Sequence, residues 1–189
     1  MDQPDLQDIQ QSLRGDGEAY ARLVRRYQGQ VAAQMWRFTR DRQELEELVQ
    51  DVFVEAYRSL GRFRGQAPLL HWLRTIATRT GYRFWKERAR QQRQTPLPEL
   101  DVLAAPPDKT LDQREAAELL EILMAGVSPS DRLVLSLLHL EELSVAEIAR
   151  RTGWTRISVK VRAHRARKRL KELLDKRQRD QHNRSISHG

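Results

Sequence analysis

The apolar residues of this 189-residue chain recur mostly at the three- and four-residue spacing of amphipathic helices. The clearest stripe lies between Leu45 and Leu60, and Asp41 with Glu44 before it is typical of a helix N-terminus. Similar stripes run from Ala19 to Met35 and from Leu69 to Trp85. The pattern therefore predicts a helical bundle in the first half of the chain.

The regular spacing stops between residues 91 and 111, where glutamines and four prolines stand without an apolar period. This composition is typical of an extended linker. Helical spacing returns afterwards, and Ser128 followed by Pro129 is a common helix start. No segment alternates as a strand would. The predicted fold is all-α, with two small helical domains joined by a flexible linker.

These patterns also predict the bounds of each part. We expect an N-terminal segment over residues 1–17, a first domain over 18–90, a linker over 91–111, a second domain over 112–176, and a disordered tail over 177–189.

Residues 144–170 have the layout of a helix-turn-helix. Ser144 and Glu147 form a capping-box pattern, Gly153 stands at the turn, and Thr155 can cap a longer second helix. In that second helix one stripe is apolar and predicted to be buried, consisting of Val159, Ala163, Ala166 and Leu170. The remaining faces are rich in lysine and arginine, which favours DNA binding over a merely soluble helix.

The first half of such a second helix enters the major groove of DNA. There Arg165 could read a guanine with two hydrogen bonds, and Val161 could contact a thymine methyl group. The predicted DNA-binding residues of this helix are Arg156, Ser158, Lys160, Val161, Arg162, His164, Arg165 and Arg167.

The charge is unevenly distributed along the chain. The whole chain carries a formal net charge of +8, but Ser144 to Arg179 alone holds 13 basic and 3 acidic residues. In the first half, Asp41 to Glu55 holds six acids and one base, whereas Arg58 to Arg93 holds ten bases and one acid. A basic block interleaved with Phe, Tyr and Trp is suited to holding single-stranded nucleic acid.

Several classes of protein are excluded by composition. The sequence has no apolar run long enough to cross a bilayer, and its acidic N-terminus is unlike a secretory signal, so we expect a cytoplasmic protein without membrane insertion. Without cysteine it has no thiolate chemistry. No HExxH spacing or phosphate-binding glycine loop is present, so we expect no metal, no cofactor and no enzymatic activity.

Certain segments resemble the extracytoplasmic-function (ECF) sigma factors of bacteria. Residues 47–57 (ELVQDVFVEAY), the Phe63-Arg64-Gly65 turn, and the HWL and IA segments at 71–73 and 76–77 resemble region 2 of that family. Residues 144–149 (SVAEIA) and 159–170 (VKVRAHRARKRL) are similar to its region 4. Together they imply a subunit that binds core RNA polymerase and directs it to promoters.

The resemblance also implies roles for residues of the first domain. An acidic helix would dock on the polymerase beta-prime subunit, with the beta subunit also in contact, through Glu46, Glu47, Gln50, Asp51 and Glu55. The next helix and its preceding loop would capture the melted minus-ten element of promoter DNA through Phe63, Arg64, Arg79, Tyr82, Arg83, Trp85 and Lys86. Region 4 would read the minus-thirty-five element, and an anti-sigma factor is an expected partner.

Arg79 and Arg83 depart from the family pattern, which usually has Asn and Asp in this helix. The helix is therefore more basic than in most relatives, so its base preference is not carried over. The principal alternative is a stand-alone helix-turn-helix regulator, which would leave the acidic and the aromatic helix without a role. A metal site formed by the carboxylates of residues 44–55 is disfavoured because they alternate with a core stripe and no histidine lies nearby.

Overall fold

The computed structural model describes the backbone of residues 3–94 and 111–187, and the side chains of residues 4–92 and 115–180. The described part contains helices and no strand, which confirms the all-α prediction. The chain divides into two compact units, Met1–Gln94 and Thr95–Gly189. The helices are α1 (Gln3–Leu13), α2 (Gly17–Met35), α3 (Arg42–Ser59), α4 (Leu69–Gln94), α5 (Leu111–Ala125), α6 (Pro129–His139), α7 (Val145–Thr152) and α8 (Arg156–Ser187).

The first unit packs α2, α3 and α4 around a shared apolar core. Met35 and Val52 are fully buried in it, and Leu69 is 2% exposed. The predicted start of α3 is confirmed, because the Asp41 carboxylate accepts a hydrogen bond from the backbone N–H of Glu44 at 2.8 Å. A single 3-10 turn at Leu60–Arg62 ends this helix and leads toward α4.

Helix α1 packs on α2 through buried carboxylates as well as apolar contacts. Asp5 and Asp8 are 3% and 5% exposed. Arg26 donates to both, with N···O distances of 2.6 and 3.0 Å, and the Tyr27 hydroxyl donates to Asp5 at 2.5 Å. Arg22 adds a further ion pair to Asp8 at 2.8 Å. The N-terminal segment is thus tied to α2 by a network of charged hydrogen bonds.

Replacing Asp8 by alanine is expected to destabilise the first unit by about 1–3 kcal/mol, because Arg22 and Arg26 lose a buried partner. The free energy of unfolding in urea measures this change. Glu18→Ala is the matched control, since Glu18 meets Arg25 only at 3.6 Å on an exposed surface. The control is expected to stay within about 0.5 kcal/mol of the unmodified chain. Equal losses in the two variants would contradict a stabilising role for the α1–α2 network.

A close helix crossing joins α4 to the segment after α2. The Trp85 ring lies 4.5 Å from the Phe38 ring, and its Nε1 donates to the Phe38 carbonyl at 2.9 Å. Gly81 faces the same phenyl ring, and a Cβ built there would come within 2.5 Å of its carbons. The ring of Phe38 therefore occupies space that a side chain at position 81 would need.

In the second unit α6, α7 and α8 pack together, and the predicted caps are confirmed. Ser144 and Glu147 form a capping box, and Gly153 ends α7 with a φ of 79°. The Thr155 hydroxyl accepts from the backbone N–H of Ser158 at 3.1 Å at the start of α8. Val159, Ala163 and Ala166 are buried as predicted, whereas Leu170 is half-buried. A buried ion pair between Arg151 and Glu141 fixes the end of α7.

Three predicted bounds differ from the structure. Most of the predicted N-terminal segment 1–17 forms helix α1, which belongs to the first compact unit rather than preceding it. Helix α4 continues through Gln94, past the predicted linker start at residue 91, and the rest of that linker up to residue 110 lies outside the described residues. Helix α8 continues to Ser187, where the sequence analysis predicted a disordered tail from residue 177. The segment 177–187 contains no proline or glycine to stop the helix, and the arginines and glutamines within it are good helix formers.

Candidate polymerase and DNA interfaces

An apolar groove of about 800 Å³ lies between α2 and α3 on the first unit. Its walls are mainly apolar and aromatic side chains. The groove is open at the surface, where Val54 and Tyr57 are 39% and 51% exposed. The lining residues include Tyr20 and Val24 from α2, and Leu45, Val49, Phe53, Val54 and Tyr57 from α3.

Tyr20 gives the groove a fixed wall. Its hydroxyl donates to the Phe53 carbonyl at 2.5 Å, and its ring packs edge to face against Tyr57 with centroids 4.8 Å apart. Burial raises the pKa of the Tyr20 phenol far above its ordinary value, so the hydroxyl remains a donor at any physiological pH. The aromatic pair is therefore held in place before any partner arrives.

The residues predicted to bind polymerase lie along the outer side of α3. Glu46, Glu47, Gln50 and Asp51 are exposed, and Glu55 is half-buried. Glu46 and Gln50 border the apolar groove. Glu46 also pairs with Arg42 at 3.1 Å, one turn earlier on the same helix. An acidic row and an apolar groove thus form one continuous surface on this unit.

A basic stripe follows the outer face of α4. Arg79, Arg83 and Lys86 are exposed and recur at helical spacing, with Tyr82 half-buried beside them. The Lys86 ammonium lies 5.0 Å from the centre of the Tyr82 ring, within the range of a cation–π contact. These four predicted residues therefore share one face and combine positive charge with an aromatic ring.

The remaining residues predicted to bind the minus-ten element differ in accessibility. Arg64 is exposed, and Phe63 is half-buried, with its ring 5.1 Å from that of Trp72. Trp85 is only 5% exposed, because it packs on Phe38 and its Nε1 is bonded there. The expectation that Trp85 contacts DNA needs correction: in this structure its ring belongs to the core.

On α8 the face opposite the buried stripe is open to solvent. Ile157 and Val161 are 76% and 56% exposed, and Lys160 and His164 are exposed between and after them. Arg156 and Arg167 are exposed on a neighbouring side. A helix with this combination of apolar and basic exposed side chains is suited to a DNA groove.

Three other predicted residues of α8 make contacts within the second unit. Arg162 stacks over the Trp154 ring at 4.2 Å and is hydrogen-bonded to Ser158, so both are half-buried near the turn. Arg165 forms two hydrogen bonds with Asp131 of α6, each of 2.7 Å. Its guanidinium lies at the side of the outer face, next to α6, rather than at the centre of that face.

Residues beyond the sequence-based prediction also line these surfaces. Tyr57 lies within the apolar stripe predicted between Leu45 and Leu60, yet it stands half exposed in the groove, and Tyr20 completes the same wall. The width of the apolar stripe on α3 was the signal in the sequence for this groove. A stripe wider than the packed core needs leaves some of its apolar side chains exposed to solvent. Asp131 carried no such signal, since its partner lies 34 residues away.

Among the described residues no group of acidic or histidine side chains could hold a metal ion. Within the same part of the chain, none of the helices has the length and apolar character needed to cross a membrane.

Comparison with known families gives two matches in the order of the two units. Sigma-70 region 2 matches residues 23–91, and Sigma-70 region 4 matches residues 117–170. The class of protein defined by these domains is the sigma subunit of bacterial RNA polymerase. The RNA polymerase sigma-H factor of Pseudomonas aeruginosa is 31% identical over 185 residues, covering 90% of this chain and 93% of the relative.

Further relatives agree. The sigma factor YlaC of Bacillus subtilis is 30% identical, covering 82% of this chain and 91% of that protein. The ECF sigma-E factor of Escherichia coli K12 is 27% identical, covering 75% and 78%. The chain belongs to the extracytoplasmic-function sigma factors. It therefore acts in directing transcription initiation, and the family consists of DNA-binding regulatory proteins rather than enzymes.

Solved structures show the same fold at lower identity. The sigma factor RpoE of Bartonella quintana, in complex with the anti-sigma factor NepR, has a TM-score of 0.58 at 23% identity and covers 82% of this chain and 96% of its own. CnrH in complex with the cytosolic domain of CnrY has a TM-score of 0.55 at 23% identity, covering 91% and 97%.

Proposed function

We propose that the first unit of this sigma factor binds core RNA polymerase on one face and melted promoter DNA on another, while the second unit reads the minus-thirty-five element. The observation that carries the proposal is the separation of charge on the first unit. The acidic residues stand on α3 beside an apolar groove, and the basic residues stand on α4. A basic surface of polymerase and the negatively charged DNA would thus contact different helices.

Core polymerase is the partner suited to the α3 surface. Glu47 and Asp51 offer exposed carboxylates to basic side chains, and the groove offers apolar area beside them. Interfaces of this kind combine a buried apolar centre with a charged rim that speeds association. Family resemblance supports the beta-prime subunit as the main contact, with the beta subunit as a second contact of the assembled holoenzyme.

The minus-ten element is the partner suited to the α4 stripe. Arg79, Arg83 and Lys86 can neutralise successive phosphates, and Tyr82 offers a ring for an unstacked base. Phe63 and Arg64 precede this helix and provide a further aromatic ring and a further positive charge. Holding an unpaired strand in this way offsets the few kcal/mol needed to unstack a base.

Reducing the charge of this stripe is expected to impair promoter melting more than promoter recognition. For Arg79→Ala with Lys86→Ala, we expect permanganate reactivity of minus-ten thymines to fall roughly tenfold, since two phosphate contacts are lost. Upstream protection from nuclease should remain. Arg88→Ala is the control, because Arg88 pairs with Glu44 at 3.0 Å on the side of α4 facing α3. Unchanged promoter melting by the double variant would show that this face of α4 does not contact the DNA.

The second unit is suited to double-stranded DNA. Ile157, Val161 and His164 form an exposed ridge on α8, with basic residues on both sides. In a helix-turn-helix such a ridge enters the major groove while flanking arginines meet phosphates. This supports reading of the minus-thirty-five element by the residues that the sequence analysis singled out on α8.

We also propose that the protein acts in the cytoplasm, and that an anti-sigma factor controls it. Two proteins of the same fold are described in complex with such factors. The α2–α3 groove is the surface that such a protein and polymerase would compete for. Val54→Glu, which puts a charge into the groove, is therefore expected to weaken binding of both partners by about tenfold or more. If the variant bound both partners as tightly as the unmodified chain, the groove would not be part of either interface.

Transcription in vitro tests the proposal as a whole. The purified chain added to core polymerase should produce transcripts that start at a defined distance from its own promoters, and core polymerase alone should not. A stand-alone helix-turn-helix regulator would retard the same DNA in a gel yet add no initiation. Only the first result is compatible with the proposed function.

A further inference from the structure

The ion pair between Asp131 and Arg165 engages one edge of the guanidinium and leaves another edge open. Arg165 Nε donates to Asp131 Oδ2, and Arg165 Nη2 donates to Oδ1, both at 2.7 Å. A guanidinium is planar and carries five N–H groups, of which this contact uses one on Nε and one on Nη2. The two N–H groups of Nη1 and the second of Nη2 therefore point away from Asp131.

Asp131 is buried, whereas Arg165 is largely exposed. The Asp131 side chain is 5% exposed, whereas that of Arg165 is 59% exposed. Asp131 lies in the first turn of α6, and its backbone N–H donates to the capping hydroxyl of Ser128 at 3.3 Å. The buried carboxylate is thus held in place, and the guanidinium to which it is hydrogen-bonded lies at the surface. Hydrogen bonding to Asp131 also raises the pKa of Arg165.

Arg165 lies beside the exposed ridge of α8. At 100° per residue it stands about 130° from the centre of the buried stripe and about 40° from Val161. Because a free arginine samples many rotamers, a DNA contact by such a side chain normally costs conformational entropy on binding. The contact with Asp131 restricts these rotamers before DNA is present.

We propose that Asp131 is a positioning residue for promoter reading, which holds Arg165 by its Nε/Nη2 edge so that the Nη1/Nη2 edge meets a guanine of the upstream element. Two N–H groups on that edge match the O6 and N7 acceptors of guanine in the major groove. The inference rests on the proposed function of the second unit. It adds a buried residue of α6 to the determinants of sequence preference.

Selection of DNA sequences by the holoenzyme tests this role. The full chain, combined with core polymerase, is offered a library in which the upstream element is randomised, and the bound fraction is sequenced. Asp131→Asn and Arg165→Ala are each expected to reduce the preference for guanine at the same position by roughly tenfold. The double variant should be no worse than Arg165→Ala, because the two residues act as one unit.

Loss of folded protein cannot imitate this result. A smaller folded fraction weakens binding to every sequence by the same factor and leaves the preference among bases unchanged. Glu141→Gln is the matched control, since it weakens a different ion pair of this unit, that between Glu141 and Arg151. The control is expected to lower the melting temperature while retaining the guanine preference.

Arg165→Lys gives a second discriminating variant. Lysine keeps the positive charge but has no second edge, so it cannot contact Asp131 and a guanine in the same way. We expect the salt dependence of binding to be retained and the guanine preference to be lost. Full preference with lysine would overturn the edge argument.

Two outcomes of the selection contradict the proposal. If Asp131→Asn keeps the preference that Arg165→Ala loses, Asp131 does not position Arg165. If both variants weaken all sequences alike and lower the salt slope by about one unit, Arg165 contacts phosphate instead. Failure of the unmodified holoenzyme to select any upstream sequence is a different result, because it refutes the proposed function of the second unit as well.

Discussion

Replacing Asp51 and Glu55 by arginine is expected to abolish association of this sigma factor with core RNA polymerase. Both residues stand on the outer part of α3, and Asp51 is exposed. Reversing two charges places like charges against a basic partner surface, which costs several kcal/mol. We therefore expect affinity to fall on the order of 100-fold or more, as measured by titration of labelled sigma factor with core polymerase.

The control for this variant places the same charge change elsewhere. Glu172 and Asp175 are exposed on α8, in the second unit, so their replacement by arginine alters net charge equally without changing α3. This control should bind core polymerase with nearly unchanged affinity. Circular dichroism should give the same melting temperature for both double variants. Co-purification of the α3 variant with core polymerase at the usual yield would place the interface elsewhere.

A single methyl group at position 81 is expected to destabilise the first unit. In Gly81→Ala the new Cβ would lie 2.5 Å from carbons of the Phe38 ring, so the ring or α4 must move. The Phe38 ring also packs on Trp85, whose Nε1 is bonded to the Phe38 carbonyl, which limits that movement. Overpacking of this kind costs about 1–3 kcal/mol, which exceeds the gain in helix propensity of about 0.5–1 kcal/mol.

The same substitution at Gly29 should have the opposite effect on stability. Gly29 lies within α2, where a Cβ would meet no heavy atom of the described residues within 4 Å. Gly29→Ala is therefore expected to stabilise the unit by about 0.5–1 kcal/mol through helix propensity. Chemical denaturation of the two variants, followed by tryptophan fluorescence, measures both effects. Equal stabilisation by both would show that Phe38 moves aside at little cost.

Much of the local structure could be predicted because it depends on short-range chemistry. The capping box of Ser144 and Glu147, the turn at Gly153 and the Asp41 cap were all predicted from a few adjacent residues. Prediction failed where a residue's neighbours come from elsewhere in the chain. Trp85 has the residue type that stacks on bases, yet contact with Phe38, 47 positions earlier, places it in the core.

Helical extent was also underestimated by sequence reasoning. The predicted tail from residue 177 is polar and lacks an apolar period, yet its backbone is helical to Ser187. An amphipathic stripe signals burial rather than helicity, so a solvent-exposed helix extension without it is easily missed. The bonds between α1 and α2 were missed for a related reason: they are made by charged side chains that a hydrophobic pattern does not register.

By itself the sequence determined the order of helices α2 to α8, the caps of α3, α6, α7 and α8, the division into two helical parts, and the family to which the chain belongs. Periodicity and capping are properties of neighbouring residues, so they can be read along the chain. Only the tertiary structure decided that Tyr57 lines an open groove and that Arg165 rests on Asp131. An amphipathic pattern specifies which face of a helix is apolar, but the packing of other helices determines how much of that face is covered and which distant charge a surface arginine meets.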